Sequence, residues 1–152
     1  MTYRLAVVDD HRLVREGMIE ILAAEPDFLV AGEGSSADDA VKIATGLRPD
    51  LVCLDVNMPG GGVAAAARIQ AAAPGVRILM FSFRQDLDIV QACLAAGAHG
   101  YVVKGVSGPE LVGVVRKILR GERHIDPKLT LNLTPAPEQR SLTIGELVGA
   151  EA

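Results

Sequence analysis

The sequence predicts an α/β fold in which a parallel sheet of five strands is covered by helices on both faces. Five short apolar runs alternate with five longer segments of helical period. Hydrophobic residues make up 49% of the chain and aromatic residues only 3%, so Val, Leu, Ile and Ala must form the core. Such residues are typical of central strands buried on both sides, and strands that alternate with helices favour right-handed parallel crossovers.

The five predicted strands are short runs rich in Val, Leu and Ile. They cover residues 4–8, 28–33, 50–54, 76–81 and 100–103. Pro26, Pro49 and Pro74 each stand shortly before a strand, at a point where the preceding helix has to end. These prolines therefore support three of the strand boundaries.

The five predicted helices fill the segments after the strands. Apolar residues recur at helical spacing in the first, fourth and fifth segments: Val14, Met18, Ile21 and Leu22; Leu87, Val90 and Leu94; Leu111, Val115 and Ile118. Residues 36–47 form the second helix, and residues 62–73 form an Ala-rich third helix predicted partly from propensity. Ser107 and Glu110 have the spacing of a capping box at the start of the fifth helix, and Gly121 ends it.

Charge and cysteine content limit the classes of function. The formal net charge is -4 and no long basic run occurs, which argues against direct nucleic-acid binding by this chain. Cys53 and Cys93 lie in apolar surroundings without CxxC spacing, so we expect buried, reduced thiols in a cytoplasmic protein. The N-terminal apolar run is too short for a signal peptide, and no segment is apolar enough to span a membrane.

Polar residues stand where four of the predicted strands end: Asp9 and Asp10, Asp55, Ser82, and Lys104. The carboxyl ends of parallel strands meet at one edge of a sheet, where ligands bind in open α/β folds. Three carboxylates in one cleft repel each other unless a cation neutralises them. Oxygen ligands of this kind favour Mg²⁺, so the sequence predicts a magnesium site.

A carboxylate beside a bound divalent ion can act as a nucleophile. Asp55 would accept a phosphoryl group as an aspartyl phosphate, Lys104 would neutralise the charge, and Ser82 would hydrogen-bond a phosphoryl oxygen. Taken singly, each residue has an ordinary alternative: a helix cap, a turn residue or a surface cation. The coincidence of all five at strand ends favours the shared site.

Four sequence motifs resemble the receiver domain of bacterial two-component response regulators: VVDDH at residues 7–11, LDVNMPG at 54–60, FS at 81–82 and GAHGYVVKG at 97–105. The resemblance implies a receiver domain over residues 1–121 with the flavodoxin-like (βα)5 fold and strand order 2-1-3-4-5. VVDDH, GYVVKG and RGERHIDP look most similar to the NarL/FixJ branch, whose members usually carry a LuxR-type helix-turn-helix after the receiver.

The resemblance also implies roles for individual residues. Asp55 becomes the phosphoacceptor, and Asp9, Asp10 and Asp55 bind Mg²⁺ together with the Asn57 backbone carbonyl. Ser82 and Lys104 contact the phosphoryl group, which a histidine kinase or phosphotransfer protein supplies. Ser82 and Tyr101 form the switch: Tyr101 turns inward and reshapes the face of the fourth helix, fifth strand and fifth helix, a candidate homodimer interface. The alternative for Tyr101 is an amphipathic residue at the sheet rim.

Several residues depart from the usual receiver pattern. Phe83 follows Ser82, where a small residue is usual, and is expected to crowd the phosphoryl site or its access path. Asn57 and Arg84 stand at positions that tune the lifetime of the phosphate in this family. The run GGGVAAAA at residues 60–67 predicts a loose start for the third helix and is not a P-loop, since no GKS or GKT follows. His11 is expected at the rim of the site, and His99 and His124 are expected to be solvated.

Residues 122–152 are predicted to be a linker or C-terminal tail. LTPAPEQRSL at residues 133–142 faintly resembles the start of a LuxR-type DNA-binding module, and the residues after it are too few for a helix-turn-helix.

Three functions remain open: a non-enzymatic phosphoacceptor switch acting through protein contacts, a receiver fragment of a transcription regulator, and an aspartyl-phosphate phosphatase. Residues 55–57, DVN, lack the second acid that the phosphatase needs.

Overall fold

The computed structural model describes residues 1–127 and Leu129, which form a parallel sheet between two layers of helices. The strands are β1 (Tyr3–Val8), β2 (Phe28–Gly34), β3 (Leu51–Asp55), β4 (Arg77–Ser82), β5 (Gly100–Val103) and β6 (His124–Ile125). The helices are α1 (Arg12–Ala23), α2 (Ala37–Leu47), α3 (Gly62–Ala72), α4 (Leu87–Ala95) and α5 (Gly108–Leu119). The five predicted strands and the five predicted helices are all present, and the strand boundaries agree within about one residue.

The sheet has six strands in the order β2-β1-β3-β4-β5-β6, so the prediction of a five-stranded sheet was wrong. The sixth strand, His124–Ile125, pairs in parallel with the start of β5. It has only two residues, too few to produce an alternating pattern. It follows residue 121, where we placed the end of the receiver domain. That boundary and the role of residues 122–152 stay predictions, since most of that segment lies outside the described residues.

Alternating side chains of the strands build two apolar cores, one on each face of the sheet. Leu5 and Val7 of β1 pack in the core beneath α1 and α5, whereas Ala6 and Val8 pack in the core beneath α2, α3 and α4. This two-sided burial explains the apolar strands seen in the sequence. Among the described residues, none of the helices combines the length and apolar character that crossing a membrane requires.

Both cysteines are buried and unpaired, as expected. Burial raises the pKa of the Cys53 thiol to about 12 and that of Cys93 to about 11. At neutral pH both therefore stay protonated, and they act as small apolar side chains.

The helices α5 and α3 begin in different ways. At α5 the predicted capping box is present: Glu110 N–H donates to Ser107 Oγ at 3.2 Å, and Ser107 N–H donates to Glu110 Oε1 at 3.0 Å. In contrast, α3 starts after Gly61, whose φ is +83°, and no side chain caps it. The glycine run therefore replaces a side-chain cap with a tight backbone turn.

Candidate functional site

The site is a cleft of about 290 Å³ at the carboxyl ends of the parallel strands. Its lining consists of Asp10, His11, Val14, Asp55, Asn57, Ser82, Phe83 and Lys104. Asp9 lies directly behind it and contacts the ammonium group of Lys104. The topology thus brings together all five polar residues that the sequence places at strand ends, because β1, β3, β4 and β5 are neighbours in the sheet.

Three carboxylates form the acidic part of the cleft. Asp9, Asp10 and Asp55 can place one oxygen each within 4.8 Å of one another; Asp9 and Asp55 are buried and Asp10 is exposed. Asp9 Oδ1 accepts a hydrogen bond from His11 N–H at 2.8 Å. Asp9 Oδ2 is buried without hydrogen-bond geometry to any described partner, although Lys104 Nζ lies 2.8 Å away as an ion pair. A buried oxygen of this kind, in an all-oxygen donor set, fits a hard divalent cation.

Asp55 is the most perturbed carboxyl group of the site. Its burial and the negative charge of Asp9 raise its pKa to about 6. Two groups oppose this rise: Lys104 Nζ, which is 3.3 Å from Asp55 Oδ1, and the Asn57 N–H, which donates to the same oxygen at 3.3 Å. At neutral pH Asp55 is therefore mostly ionised but electrostatically strained, so added positive charge is favoured there.

Lys104 follows β5 and is the cationic centre of the cleft. Its side chain is only 7% exposed, and its ammonium group pairs with Asp9 and Asp55. The Phe83 ring centroid lies 5.4 Å from Lys104 Nζ and the Phe81 centroid 6.0 Å away, which is cation–π range. Phe83 is 69% exposed and lines the cleft; its crowding of the access path stays a prediction.

The backbone of Arg84 links Ser82 to Tyr101. Arg84 N–H donates to Ser82 Oγ at 3.1 Å, and the Tyr101 hydroxyl donates to Arg84 O at 2.7 Å. Tyr101 is fully buried, so its ring points inward in this structure. Burial also raises the pKa of its hydroxyl. The Arg84 guanidinium pairs with Asp86 at 2.9 Å, outside the cleft lining, so Arg84 meets Ser82 through its backbone.

The sequence did not single out two residues that support the site. Arg15 of α1 donates from Nη1 to Asp9 O at 2.8 Å, which fixes the turn that carries Asp9. Gly62 lies so close to β3 that a Cβ atom there would overlap Asp55 O. Gly62 belongs to the GGG run, which we noted only as the start of the third helix. Nothing local in the sequence marked Arg15, because its contact depends on how α1 crosses β1.

Of the three histidines, only His11 is where the sequence placed it: exposed and at the rim of the cleft. The prediction that His99 and His124 are solvated was wrong, because both are half-buried beside the sheet. His99 Nδ1 accepts from Ile78 N–H at 3.0 Å. His124 Nδ1 is buried with no hydrogen-bond partner among the described residues. Burial is the main cause that lowers the pKa of both rings.

Sequence comparison identifies the family to which the chain is similar. Residues 5–116 match the family described as the response regulator receiver domain. The chain is 36% identical over 131 residues to the transcriptional regulatory protein DegU of Brevibacillus brevis, covering 86% of this chain and 56% of that protein. It is 34% identical over 131 residues to the response regulator GacA of Pseudomonas aeruginosa, covering 86% and 61%. The chain thus spans about three fifths of the length of these curated relatives.

Solved structures give the same result. A two-component response regulator of the LuxR family from Aurantimonas sp. SI85-9A1 superposes with a TM-score of 0.82 at 34% identity, covering 86% of this chain and 94% of that one. The receiver domain of the putative response regulator NarL from Mycobacterium tuberculosis gives a TM-score of 0.77 at 31% identity, covering 80% and 98%. The family match, these likenesses and the acidic cleft at the strand ends lead to one conclusion: the chain belongs to the response regulator receiver domain family of two-component signalling.

Proposed function

We propose that this chain is a phosphoacceptor switch in which Asp55 takes a phosphoryl group from a histidine kinase or phosphotransfer protein. The observation that carries the proposal is the placement of Asp55 at the end of β3, buried between Asp9 and Lys104, with its pKa raised to about 6. A buried, electrostatically strained carboxylate beside a fixed ammonium group suits nucleophilic attack on phosphorus. Burial of the thiols favours a cytoplasmic setting.

The acidic cluster suits Mg²⁺ as the metal of the site. Asp9, Asp10 and Asp55 would hold the ion, together with the backbone carbonyl of Asn57, a residue that lines the same cleft. When bound, Mg²⁺ would neutralise charge on the phosphoryl oxygens and orient the phosphoryl group toward the nucleophile.

Side chains of the cleft carry out the phosphoryl transfer itself. An Asp55 carboxylate oxygen forms the new P–O bond as the donor's P–N bond breaks and the imidazole of the donor histidine leaves. Lys104 Nζ, which is already 3.3 Å from Asp55 Oδ1, neutralises charge that builds on the transferred group. Ser82 Oγ donates its hydroxyl proton to a phosphoryl oxygen. No catalytic turnover of a small substrate is needed, so the chain acts as a switch with at most intrinsic loss of its own phosphate.

Arg84 gives the switch a physical path from Ser82 to Tyr101. If Ser82 Oγ moves toward the phosphoryl group, the hydrogen bond from Arg84 N–H is stretched. The carbonyl oxygen of the same residue accepts the hydrogen bond from the Tyr101 hydroxyl, so movement of the Arg84 backbone changes the position of the ring. This bears on the face of α4, β5 and α5, the candidate homodimer interface. Within the described residues β6 covers the outer edge of β5, so a partner would bind mainly through α4 and α5.

Regulation of transcription is the second candidate function. The observation behind it is that the chain spans 56% of a relative named as a transcriptional regulatory protein. The full reading frame tests it: a helix-turn-helix in frame after the receiver would favour this output. A frame without one would favour output through protein contacts alone.

Intact-mass analysis with Mg²⁺ and acetyl phosphate tests the phosphoacceptor chemistry. We expect the mass of one added phosphoryl group, lost in Asp55→Ala and in a metal-free sample, and strongly slowed in Lys104→Met. Asp38→Ala is the matched control, because Asp38 is an exposed carboxylate paired with Arg68, and it should behave as wild type. Uptake that persists in Asp55→Ala, or no uptake by a folded wild-type chain at early time points, would contradict the proposal.

A further inference from the structure

The segment after α5 is attached to β5 by backbone and side-chain hydrogen bonds. We call residues 124–127 together with Leu129 the edge segment. His124 N–H donates to His99 O at 3.1 Å, and Asp126 N–H donates to Tyr101 O at 3.0 Å. The Asp126 carboxylate accepts from Val103 N–H at 3.2 Å, and Asp126 O accepts from Leu129 N–H at 2.8 Å. The edge segment therefore follows β5 along most of its length.

Asp126 is the centre of this attachment. It is only 5% exposed, and a carboxylate is buried at a free-energy cost unless it is well bonded. Its carboxylate and its own N–H hold two β5 residues, Val103 and Tyr101. Because the two bonds tie Asp126 to two positions along β5, movement of β5 along its axis would strain both. We call these two hydrogen bonds between Asp126 and β5 the clip.

The clipped part of β5 is also the part that belongs to the phosphoacceptor site. Val103 directly precedes Lys104, whose ammonium group pairs with Asp9 and Asp55. Lys104 N–H donates to Ser82 O at 2.8 Å. The short strand β5 therefore carries the inward Tyr101 ring and both attachment points of Asp126, and Lys104, the cation of the site, directly follows it.

Side-chain packing makes a second connection between the two regions. Leu129 is 1% exposed and lies in the same apolar cluster as Tyr101, Val103 and Val90. Protein cores are closely packed, so a displacement of the Tyr101 ring requires its neighbours in the cluster to move. The packing position of Leu129 therefore depends on the position of the Tyr101 ring.

We propose that the edge segment couples the charge at Asp55 to the chain that follows residue 129. More negative charge at Asp55 draws Lys104 inward, fixes the end of β5 and tightens the Asp126 clip; less charge loosens it. This coupling would be the route from the proposed phosphoacceptor site to its output. Only the measurement on phosphorylated protein depends on the proposed function. Because Val103 directly precedes Lys104, loosening the clip also frees the Lys104 ammonium group to move away from Asp55, and we expect slower phosphoryl uptake there.

Amide hydrogen exchange resolved by NMR on the full 152-residue chain tests the coupling. The reporters are three N–H groups. Those of Val103 and Asp126 make the two bonds of the clip, and that of Leu129 donates to Asp126 O. Asp55→Asn removes charge without any phosphoryl transfer, and we expect exchange at these three amides to quicken about fivefold or more. In wild type carrying a phosphoryl group, confirmed by intact mass, exchange should slow by a similar factor.

Variants of the clip test the reverse direction. Asp126→Ala should slow phosphoryl uptake from acetyl phosphate about fivefold, because Lys104 is then held less firmly beside Asp55. Asp126→Asn keeps an acceptor for Val103 N–H and should lie between Asp126→Ala and wild type, which preserves the test if the alanine variant folds poorly. Glu122→Ala is the matched control: Glu122 is an exposed carboxylate that pairs with Arg120 and lies just before the edge segment. It should leave both exchange and uptake unchanged.

Two results would overturn the inference. The first is unchanged exchange at the three amides in Asp55→Asn. The second is equal uptake rates for the folded Asp126 variants and wild type. Absence of uptake by the wild type would instead contradict the proposed phosphoacceptor function, and the Asp55→Asn exchange data would still decide whether the site and the edge segment are coupled.

Discussion

Phe83 is an exposed aromatic side chain at the mouth of an otherwise polar cleft. Its ring lies over Lys104 Nζ at 5.4 Å, a contact that contributes about 0.5–1 kcal/mol at exposed sites. We predict that Phe83→Ala raises phosphoryl uptake from acetyl phosphate by about two- to fivefold, because it frees the ammonium group and opens the cleft. Time-resolved intact mass measures this rate.

A control is needed for the general effect of removing an exposed apolar side chain. Leu29 of β2 is 51% exposed and does not line the cleft, so Leu29→Ala should keep the wild-type uptake rate. Slower uptake in Phe83→Ala, or the same rate as in wild type, would show that the ring does not restrict access. The tuning role assigned to Arg84 concerns loss of the phosphate and is measured separately, by substitution at Arg84 and the rate of dephosphorylation.

His99 makes the stability of the fold depend on pH. Burial, and then the charges of Arg123 and Arg77, lower its pKa below the usual 6.5, while its Nδ1 accepts from Ile78 N–H. A histidine with a lowered pKa in the folded state stabilises the fold above pH 6.5 and loses that contribution as pH falls through the folded pKa. We predict that His99→Ala costs about 1 kcal/mol at pH 7.5 and flattens the loss of stability on acidification.

Urea unfolding at several pH values between 7.5 and 5 measures this effect. Leu29→Ala provides the control: it removes an exposed side chain that carries no titratable group, so it should keep the wild-type pH dependence. His124 also has a lowered pKa, so some dependence on pH remains in His99→Ala. A slope equal to that of wild type would mean that protonation does not disturb the Ile78 bond.

The start of α3 is fixed by how closely it approaches β3. At Gly62 a Cβ atom would overlap Asp55 O and lie 2.7 Å from Val56 Cα, and these are backbone atoms that cannot move aside easily. We predict that Gly62→Ala destabilises the protein by about 1–3 kcal/mol and also slows phosphoryl uptake, because it displaces Asp55. Urea unfolding and intact mass measure the two effects.

Gly17 offers a matched control within a helix. It lies in α1, and a Cβ atom there would meet nothing within 4 Å. Gly17→Ala should therefore stabilise the protein by about 0.5–1 kcal/mol through helix propensity. Equal effects of the two substitutions would show that the close approach of Gly62 is not important.

The elements show what the sequence could predict and where it failed. The strands β1 and β3 could be predicted from the sequence because both are covered on two faces, which requires continuous apolar runs. A polar residue marks the end of each run. The convergence of Asp9, Asp55 and Lys104 followed from parallel topology alone.

The sixth strand could not be predicted, since its two residues pair with β5 through long-range backbone bonds. Gly100 is the one related signal: a Cβ atom there would lie 3.0 Å from His124 O. The half-buried histidines were missed for a similar reason, because their environment comes from the edge of the sheet. Local pattern therefore predicts elements and strand ends, whereas supporting contacts such as Arg15 on Asp9 depend on tertiary packing.

Across the whole molecule, the balance of charge in the cleft links metal binding to stability. In the cleft the Lys104 ammonium group pairs with two buried carboxylates. Even so, burial and then the charge of Asp9 keep the pKa of Asp55 raised. A divalent ion that binds the folded state alone stabilises it by about 1.4 kcal/mol at ten times its dissociation constant. We therefore predict that Mg²⁺ raises the free energy of unfolding at pH 7.5.

This stabilisation should weaken as pH falls through about 6, because protons then compete with the metal for Asp55. Chemical unfolding with Mg²⁺ or with EDTA, at pH 7.5 and pH 5, measures both effects. Asp10→Asn removes an exposed ligand of the cluster and should lose most of the increase, while Asp38→Asn, an exposed acid outside the cleft, should keep it. Equal increases in wild type and both variants would indicate a general salt effect. The cleft would then hold its charges with Lys104 alone, and phosphoryl transfer at Asp55 would have to proceed without a metal.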